Sequence, residues 1–361
     1  MCAKSIDWNG KKKINLALQG GGSHGAFTWG VLDEILQDER LDIEAITGTS
    51  AGAMNAVALV QGYLEGGRAG ARKKLEEFGS SICEENALTI GQREFVDTFF
   101  GSWKLDDSPF SMWTDYLASF TSPYSLNPLN INPLRELLEK IIDFKKVRAC
   151  EEVKVFVAAT NVHSGHIAIF PREKLTANHV MASACLPTVF QAVEIDGVPY
   201  WDGGYMGNPA LFPLFYESAT PDILIVQINP VERKATPRTQ REIQNRLNEI
   251  TFNGALLSEL RSIDFVNRLI DTGKLKRATS IIGRMTNRGR HTHEAYMRPF
   301  VHRIDGAEEV ASFSADSKMD TRWAFLTQLR DIGRASAKAW LAKNYDSIGV
   351  DNTLDLGMAF N

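Results

Sequence analysis

The sequence predicts an α/β fold in which a mostly parallel central sheet carries helices on its faces, followed by a mainly helical region at the carboxyl end. Two consecutive segments, at residues 14–36 and 43–60, each contain an apolar strand, a glycine-rich turn and a helical pattern. A strand–turn–helix order that repeats in this way is typical of parallel sheets. After Pro237 long polar helical patterns replace the short apolar runs, which indicates an added carboxyl-terminal region.

The individual elements follow from apolar runs and the turn residues between them. Asp196-Gly197 separates two such runs and is a strong signal for a two-residue hairpin. Strands are predicted at residues 14–19, 43–47, 153–160, 166–170, 192–195, 198–201 and 223–228, with an edge strand at 300–304. Helices are predicted at residues 26–36, 51–60, 70–87, 133–144, 177–184, 239–272 and 322–344. The predicted division is a catalytic domain at 14–230 and a mainly helical extension at 236–361.

The bulk composition limits the classes of function. Of the 361 residues, 44% are hydrophobic and 23% are charged, and the formal net charge of -4 argues against a nucleic-acid partner. The four cysteines have no paired spacing, so neither a zinc site nor a disulfide framework is expected. No apolar run reaches the roughly 20 residues of a membrane span, and no signal peptide is visible. We therefore expect a cytoplasmic protein whose contact with membranes is peripheral.

The pentapeptide at residues 48–52, GTSAG, places Ser50 between a predicted strand and a predicted helix. It fits G-x-S-x-G, the pattern of a nucleophile elbow, in which a sharp turn presents the serine oxygen. Gly48 and Gly52 leave room for the neighbouring strand and helix, and the helix terminus favours developing negative charge. Because this pattern also occurs by chance, a serine N-cap in a tight turn is the alternative interpretation.

A second glycine-rich turn follows the first predicted strand. The backbone N–H groups of Gly20, Gly21, Gly22 and Ser23 can converge on an anion, as an oxyanion hole requires. The same run fits the dinucleotide fingerprint G-x-G-x-x-G, which expects an acidic residue at the end of the second strand. Asp42 lies at the beginning of that strand instead, so nucleotide binding is the weaker interpretation.

The base that activates Ser50 is predicted to be Asp202 rather than a histidine. None of the seven histidines lies in a recognisable catalytic motif. Asp202 follows a predicted strand and precedes two glycines, which allow close backbone approach and let the carboxylate point into a cleft. A carboxylate acting on serine must be ionised, which suits the reference pKa of about 3.9 for aspartate. A simple turn aspartate is the alternative.

Taken together, GGGSHG at 20–25, GTSAG at 48–52 and DGG at 202–204 resemble the patatin-like phospholipase family in order and spacing. SACLP at 183–187 and Asn208-Pro209 support the resemblance, which covers roughly residues 14–230. It implies a three-layer α/β/α fold and an esterase of lipids with a Ser50–Asp202 dyad, an acyl-serine intermediate, and no metal or cofactor. It also implies that N–H groups around Gly21 and Gly22 form the oxyanion hole.

One departure from the family pattern concerns His24, which stands where the family often has Arg or Lys. If that cation binds anionic head groups, His24 would make the binding pH-dependent. The resemblance leaves three other activities open: lipid binding with little turnover, acyl transfer to an acceptor other than water, and depolymerisation of a stored polyester.

Two further segments suggest contact with lipid. Residues 95–133 form an aromatic-rich insert or lid, and the side chains expected to line an acyl channel or touch a lipid surface are Trp103, Phe110, Trp113, Tyr116 and Phe120. A helical subdomain core is the alternative for these aromatic side chains. Residues 274–290 are basic and contain no acidic residue, which would favour an anionic lipid surface or simply a solvated loop.

Overall fold

The computed structural model describes residues 10–83, 122–276, 296–306, 309–310, 313, 317–318 and 320–357. The five aromatic residues predicted to contact lipid, Trp103, Phe110, Trp113, Tyr116 and Phe120, lie outside the described residues. So does most of the basic stretch at 274–290. Their roles therefore remain predictions.

The centre of the protein is a mixed sheet, and its eight described strands run in the order β5-β6-β3-β2-β1-β7-β8, with β4 paired to β3. The strands are β1 (Lys12–Leu18), β2 (Leu41–Gly48), β3 (Lys154–Asn161), β4 (Ile167–Pro171), β5 (Val193–Ile195), β6 (Val198–Asp202), β7 (Asp222–Gln227) and β8 (Phe300–Asp305). The pairs that join β3, β2, β1, β7 and β8 are parallel, whereas β4, β5 and β6 pair antiparallel. The carboxyl ends of the parallel strands therefore meet at one edge.

Helices cover both faces of this sheet. They are α1 (Gly25–Gln37), α2 (Ala51–Ile82), α3 (Pro133–Ile141), α4 (Phe144–Ala149), α5 (Ala177–Ser183), α6 (Phe212–Glu217), α7 (Gln240–Asp271) and α8 (Trp323–Asn344), with one helical turn at Pro123–Leu126. None of these described helices is both long and apolar enough to cross a membrane. The three-layer α/β/α arrangement with a mostly parallel sheet is confirmed.

The two buried faces of the sheet come from alternation along each strand. In β7, Leu224 and Val226 join the core under α1, α2 and α8, while Ile223 and Ile225 join the core under α6 and α7. Successive side chains of a strand point to opposite faces, so a strand buried on both sides is apolar throughout. This is why residues 223–226 appear in the sequence as an unbroken apolar run.

Two helices differ from their predicted limits, because individual residues bend one helix and divide the other. The pattern at 51–60 and the described part of the pattern at 70–87 belong to one helical segment, α2, which bends where Gly66 and Gly67 leave helical backbone angles. The pattern at 133–144 ends earlier, because Asp143 starts a separate helix by accepting a hydrogen bond from the Lys145 N–H. At the hairpin, Asp196 and Gly197 both have positive φ, as the Asp-Gly signal predicts.

The carboxyl-terminal third packs directly on the earlier part of the chain. β8 pairs in parallel with β7 and extends the same sheet. α8 lies along α1, where Gly333 approaches so closely that an added Cβ would lie 2.2 Å from the Phe27 carbonyl oxygen. A close helix–helix approach of this kind needs a residue without a side chain. The predicted boundary between residues 230 and 236 remains a prediction.

Candidate active site

Ser50 occupies the sharp turn between β2 and α2. Its backbone has φ 53° and ψ -120°, in a region that residues with a side chain rarely adopt. The turn places the half-buried Ser50 at the amino-terminal end of α2, where its N–H donates to Ser183 Oγ at 2.8 Å. Backbone strain at a residue is often stored where a side chain must be held in a defined position.

Glycines make this turn sterically possible. A Cβ on Gly48 would lie 2.7 Å from the Gly52 carbonyl, and one on Gly52 would lie 2.3 Å from the Leu18 carbonyl oxygen. A Cβ on Gly20 would lie 2.8 Å from the Ser50 Cβ, so the first glycine-rich turn packs against the second. The steric reason given for the G-x-S-x-G spacing therefore holds in the structure.

Asp202 is the last residue of β6, and its carboxyl group lies against the serine. The Ser50 hydroxyl is near enough to this carboxyl group to lower its pKa as a hydrogen-bond donor, and Asp202 Oδ1 accepts from the Gly204 N–H at 2.7 Å. Gly203 lets this turn approach β3, since a Cβ there would lie 2.3 Å from the Ala158 carbonyl oxygen. The two residues that the motifs single out, about 150 positions apart in sequence, are thus in contact.

The segment at residues 183–185 holds both of these residues. Ser183 Oγ accepts from the Ser50 N–H, and the Cys185 carbonyl accepts from the Asp202 N–H at 2.8 Å. Thr160 Oγ1 donates to the Asp202 carbonyl at 2.8 Å and holds the strand end from the other side. The small residues of SACLP therefore have a structural role at the site.

Burial changes the expected protonation of Asp202. The side chain is 3% exposed, and burial raises its pKa to about 7, although the Gly204 N–H and the Ser50 hydroxyl both favour the ionised form. The reference pKa assumed from the sequence is therefore wrong for this environment. Near neutral pH the carboxyl group is poised between its two protonation states, as suits a group that takes and returns a proton.

The glycine turn at residues 20–25 lies beside Ser50, but its first amide is already used. Gly20 N–H donates to Asn208 Oδ1 at 2.7 Å, so Gly20 is not an oxyanion donor in this conformation. The N–H groups of Gly21 and Gly22 make no hydrogen bond to another described residue. Gly22 has φ 59°, a left-handed conformation that favours glycine. Gly21, Gly22 and Ser23 remain the predicted donors.

A match to known proteins agrees with this arrangement. The model of the patatin-like phospholipase family matches residues 16–215. This chain belongs to the patatin-like phospholipase family.

Individual relatives are distant. The chain is 28% identical over 198 residues to the uncharacterised protein YjjU of Escherichia coli. The matched segment covers 53% of this chain but only 45% of the length of YjjU. Among solved structures, VipD of Legionella pneumophila is 14% identical to this chain, with a TM-score of 0.35. The superposed region covers 91% of this chain and 70% of the VipD chain. ExoU of Pseudomonas aeruginosa, in complex with SpcU, is 15% identical with coverages of 97% and 77% and a TM-score of 0.30.

In this patatin-like protein, three described histidines form hydrogen bonds through their rings, and in each case the partner is a residue other than Ser50. His24 Nε2 pairs with Ser317 Oγ at 2.7 Å, and His179 completes a capping box with Thr176. His302 pairs with Asp222 at 3.1 Å, with both side chains fully buried at the opposite edge of the sheet. His163 and His166 are exposed in a turn.

The proposed pH-dependent role of His24 in head-group binding is wrong. The side chain is only 3% exposed, and burial, followed by the charges of Lys318 and Arg233, lowers its pKa to about 3. His24 is therefore neutral throughout the physiological range and does not replace a surface cation.

Two other kinds of side chain bear on the chemistry of the site: the described cysteines and the residues that could bind a metal. Cys83, Cys150 and Cys185 are buried and unpaired, and burial raises the pKa of Cys185 to about 12, so this thiol is not a nucleophile at neutral pH. Within the described ranges, no group of three or more His, Cys, Asp or Glu side chains could hold a metal ion.

Several buried amides that support the glycine turn were missed from the sequence. Gln19 accepts from the N–H groups of Ile228 and Asn229 at 2.8 Å, and donates to Asn253 at 2.9 Å. Asn229 donates to the Gly20 carbonyl at 2.7 Å. A signal was available for Asn229, because polar residues directly after an apolar parallel strand often lie at a binding site. For Lys318, which donates to Asn229 Oδ1 at 2.6 Å, the sequence contains no comparable signal.

Proposed function

We propose that this chain hydrolyses lipid acyl esters by a Ser50–Asp202 dyad through an acyl-serine intermediate. The observation that carries the proposal is the proximity of the Ser50 hydroxyl, after β2, to the buried Asp202 carboxyl group at the end of β6, whose pKa this hydroxyl lowers. A serine hydroxyl becomes nucleophilic when an adjacent base removes its proton. Membership of the patatin-like phospholipase family supports a lipid ester as the substrate.

The proposed reaction moves one proton back and forth at the Asp202 carboxylate. Asp202 accepts the proton of Ser50 as Oγ attacks the acyl carbonyl carbon, and the carbonyl electron pair moves to the oxygen. N–H groups of Gly21 and Gly22 hold this oxyanion, and each such donor is typically worth about 10²–10³ in rate. The intermediate collapses to acyl-Ser50, and the leaving alcohol takes the proton from Asp202.

The second half repeats these steps with water. Asp202 takes a proton from water as the water oxygen attacks the acyl-serine carbonyl carbon. The fatty acid then leaves, and Ser50 regains its proton from Asp202. The same intermediate could pass its acyl group to another acceptor, so the nature of the acceptor belongs to the test.

A fluorophosphonate probe, which reacts with activated serines, tests the dyad. We expect labelling at Ser50 that is lost in Ser50→Ala and falls by at least about 10²-fold in Asp202→Asn. Matched controls are Ser258→Ala on an exposed position of α7 and Asp196→Asn in the exposed hairpin turn, where asparagine also tolerates positive φ. Labelling that persists in Ser50→Ala would reject Ser50 as the nucleophile.

A substrate panel tests the ester class. Phospholipid, lysophospholipid, monoglyceride and thioester substrates would be compared by release of free acid, with and without an added alcohol acceptor. Release of fatty acid from a lipid ester by wild type but not Ser50→Ala is the expected result. Labelling of Ser50 without turnover on any of these substrates would favour the lipid-binding alternative.

A further inference from the structure

The glycine turn beside Ser50 is held by residues about 300 positions later in the chain. A Cβ on Gly22 would lie 2.4 Å from the Lys318 carbonyl oxygen, which shows how closely the two backbones approach. The neighbouring Ser317 hydroxyl contacts His24 Nε2 at 2.7 Å. Both contacts come from outside residues 16–215, the part that matches the family model.

The side chain of Lys318 continues this contact through one buried amide. Its Nζ donates to Asn229 Oδ1 at 2.6 Å, and Asn229 is fully buried. An ammonium group can only donate, so it fixes which end of the Asn229 amide is the oxygen. The Asn229 Nδ2 group must then face the opposite way, where it donates to the Gly20 carbonyl at 2.7 Å.

The Gly20 carbonyl and the Gly21 N–H belong to the same peptide group. A trans peptide is planar, so holding its carbonyl oxygen also fixes the direction of its N–H. The preceding N–H, that of Gly20, is held separately by Asn208 Oδ1 at 2.7 Å. The two asparagines together define the orientation of the turn at the point where the predicted oxyanion donors begin.

We propose that Lys318 is a positioning residue for the oxyanion hole, which acts through Asn229 and the Gly20 carbonyl to aim the Gly21 N–H at the acyl oxygen. The inference rests on the proposed function, because it assigns a role within the same reaction. Lys318 does not need to touch the substrate for this role.

The charges around Lys318 make the arrangement sensitive to pH. Burial lowers the pKa of Lys318 to about 8, with the Glu249 carboxylate opposing the change and the Arg233 guanidinium adding to it. Glu249 stays ionised, because hydrogen bonds from Arg233 and Arg246 outweigh burial and lower its pKa. His24 is neutral. Lys318 is therefore charged below about pH 8 and loses its charge above it.

The test compares Lys318→Met with Lys338→Met, an identical change at an exposed position of α8. For a neutral short-chain ester we expect kcat to fall about 10- to 100-fold in Lys318→Met, with KM within about twofold, because ground-state binding is untouched. The second-order rate of fluorophosphonate labelling should fall similarly, and Lys338→Met should behave as wild type. We expect the wild-type rate to fall above pH 8, and this fall should be absent in Lys318→Met.

Two further variants keep the test informative if Lys318→Met unfolds. Lys318→Arg retains a donor and a charge that does not titrate, so activity should be retained to within about tenfold and the fall above pH 8 should vanish. Asn229→Asp retains the acceptor for Lys318 but removes the donor to Gly20, so kcat should fall as in Lys318→Met.

The outcomes separate this inference from the proposed function. Labelling of Ser50 at the wild-type rate in folded Lys318→Met, or a change confined to KM, would overturn the positioning role alone. Absence of Ser50 labelling in the wild-type protein would overturn the proposed function and, with it, this inference.

Discussion

Replacing Asp202 with asparagine should abolish activity and stabilise the fold, and the stabilisation should grow with pH. Burial raises the pKa of this carboxyl group from 3.8 to about 7 in the folded protein. Between those values the folded protein binds a proton more strongly than the unfolded chain does, so the wild-type free energy of unfolding falls as pH rises, and it levels off above pH 7. Asparagine does not titrate, and its side-chain oxygen can still accept from the Gly204 N–H.

The magnitude follows from the size of the shift. Three pKa units at about 1.4 kcal/mol each give a full difference of about 4 kcal/mol at pH 8. At pH 5, only a little above the unfolded-state pKa, the raised pKa lowers the wild-type free energy of unfolding by about 1.5 kcal/mol. The stability advantage of Asp202→Asn over wild type should therefore increase by about 2 to 3 kcal/mol between pH 5 and pH 8.

Urea unfolding of both proteins at pH 5, 6, 7 and 8 measures this difference, with Asp196→Asn as the control for a change of charge alone. The control should show no comparable dependence, because Asp196 is exposed. An advantage of Asp202→Asn that is the same at pH 5 and pH 8 would refute the conclusion that the folded environment disfavours the ionised carboxylate.

Three other measurements follow from the same structure. In wild type, kcat on a neutral ester should rise about fivefold between pH 6 and pH 7 as Asp202 ionises, and a rate already constant from pH 5 would contradict the raised pKa. Gly52→Ala should cost about 1–3 kcal/mol in urea unfolding because its Cβ would meet the Leu18 carbonyl oxygen, whereas Gly254→Ala, with open space around it in α7, should be neutral or stabilising by up to about 1 kcal/mol. His302→Ala should cost about 2–5 kcal/mol by removing one hydrogen-bond partner of the buried Asp222 carboxyl group and leaving a cavity, yet the folded variant should label at Ser50 at the wild-type rate, since this pair lies at the opposite edge of the sheet.

The parts of the fold that the sequence predicts well are those fixed by local chemistry. Apolar runs mark the strands because β1 and β7 are buried on both faces, and Asp196-Gly197 marks its hairpin because it supplies two positive φ angles. Ser50 and Asp202 could be singled out for the same reason, since each lies in a short motif whose glycines have a steric purpose. Helix limits were less accurate, because the Asp143 cap that starts a new helix is a single side-chain hydrogen bond.

The features that were missed depend on contacts between distant segments. The raised pKa of Asp202 reflects burial by strands and turns far away in sequence, and a reference value does not contain that information. Gly20 was predicted as an oxyanion donor, but the direction of its N–H is decided by Asn208. Lys318 has no motif around it, and its importance appears only when it is seen beside Asn229.

The short stretch formed by Ser183 and Cys185 has a consequence for thermal motion. Ser183 accepts a hydrogen bond from the backbone N–H of Ser50, and Cys185 accepts one from the backbone N–H of Asp202. A collective displacement of this stretch carries both groups in the same direction, so their separation changes less than either position does. Proton transfer in the proposed reaction depends on that separation and not on absolute position, so the shared attachment would limit the effect of such a displacement on it.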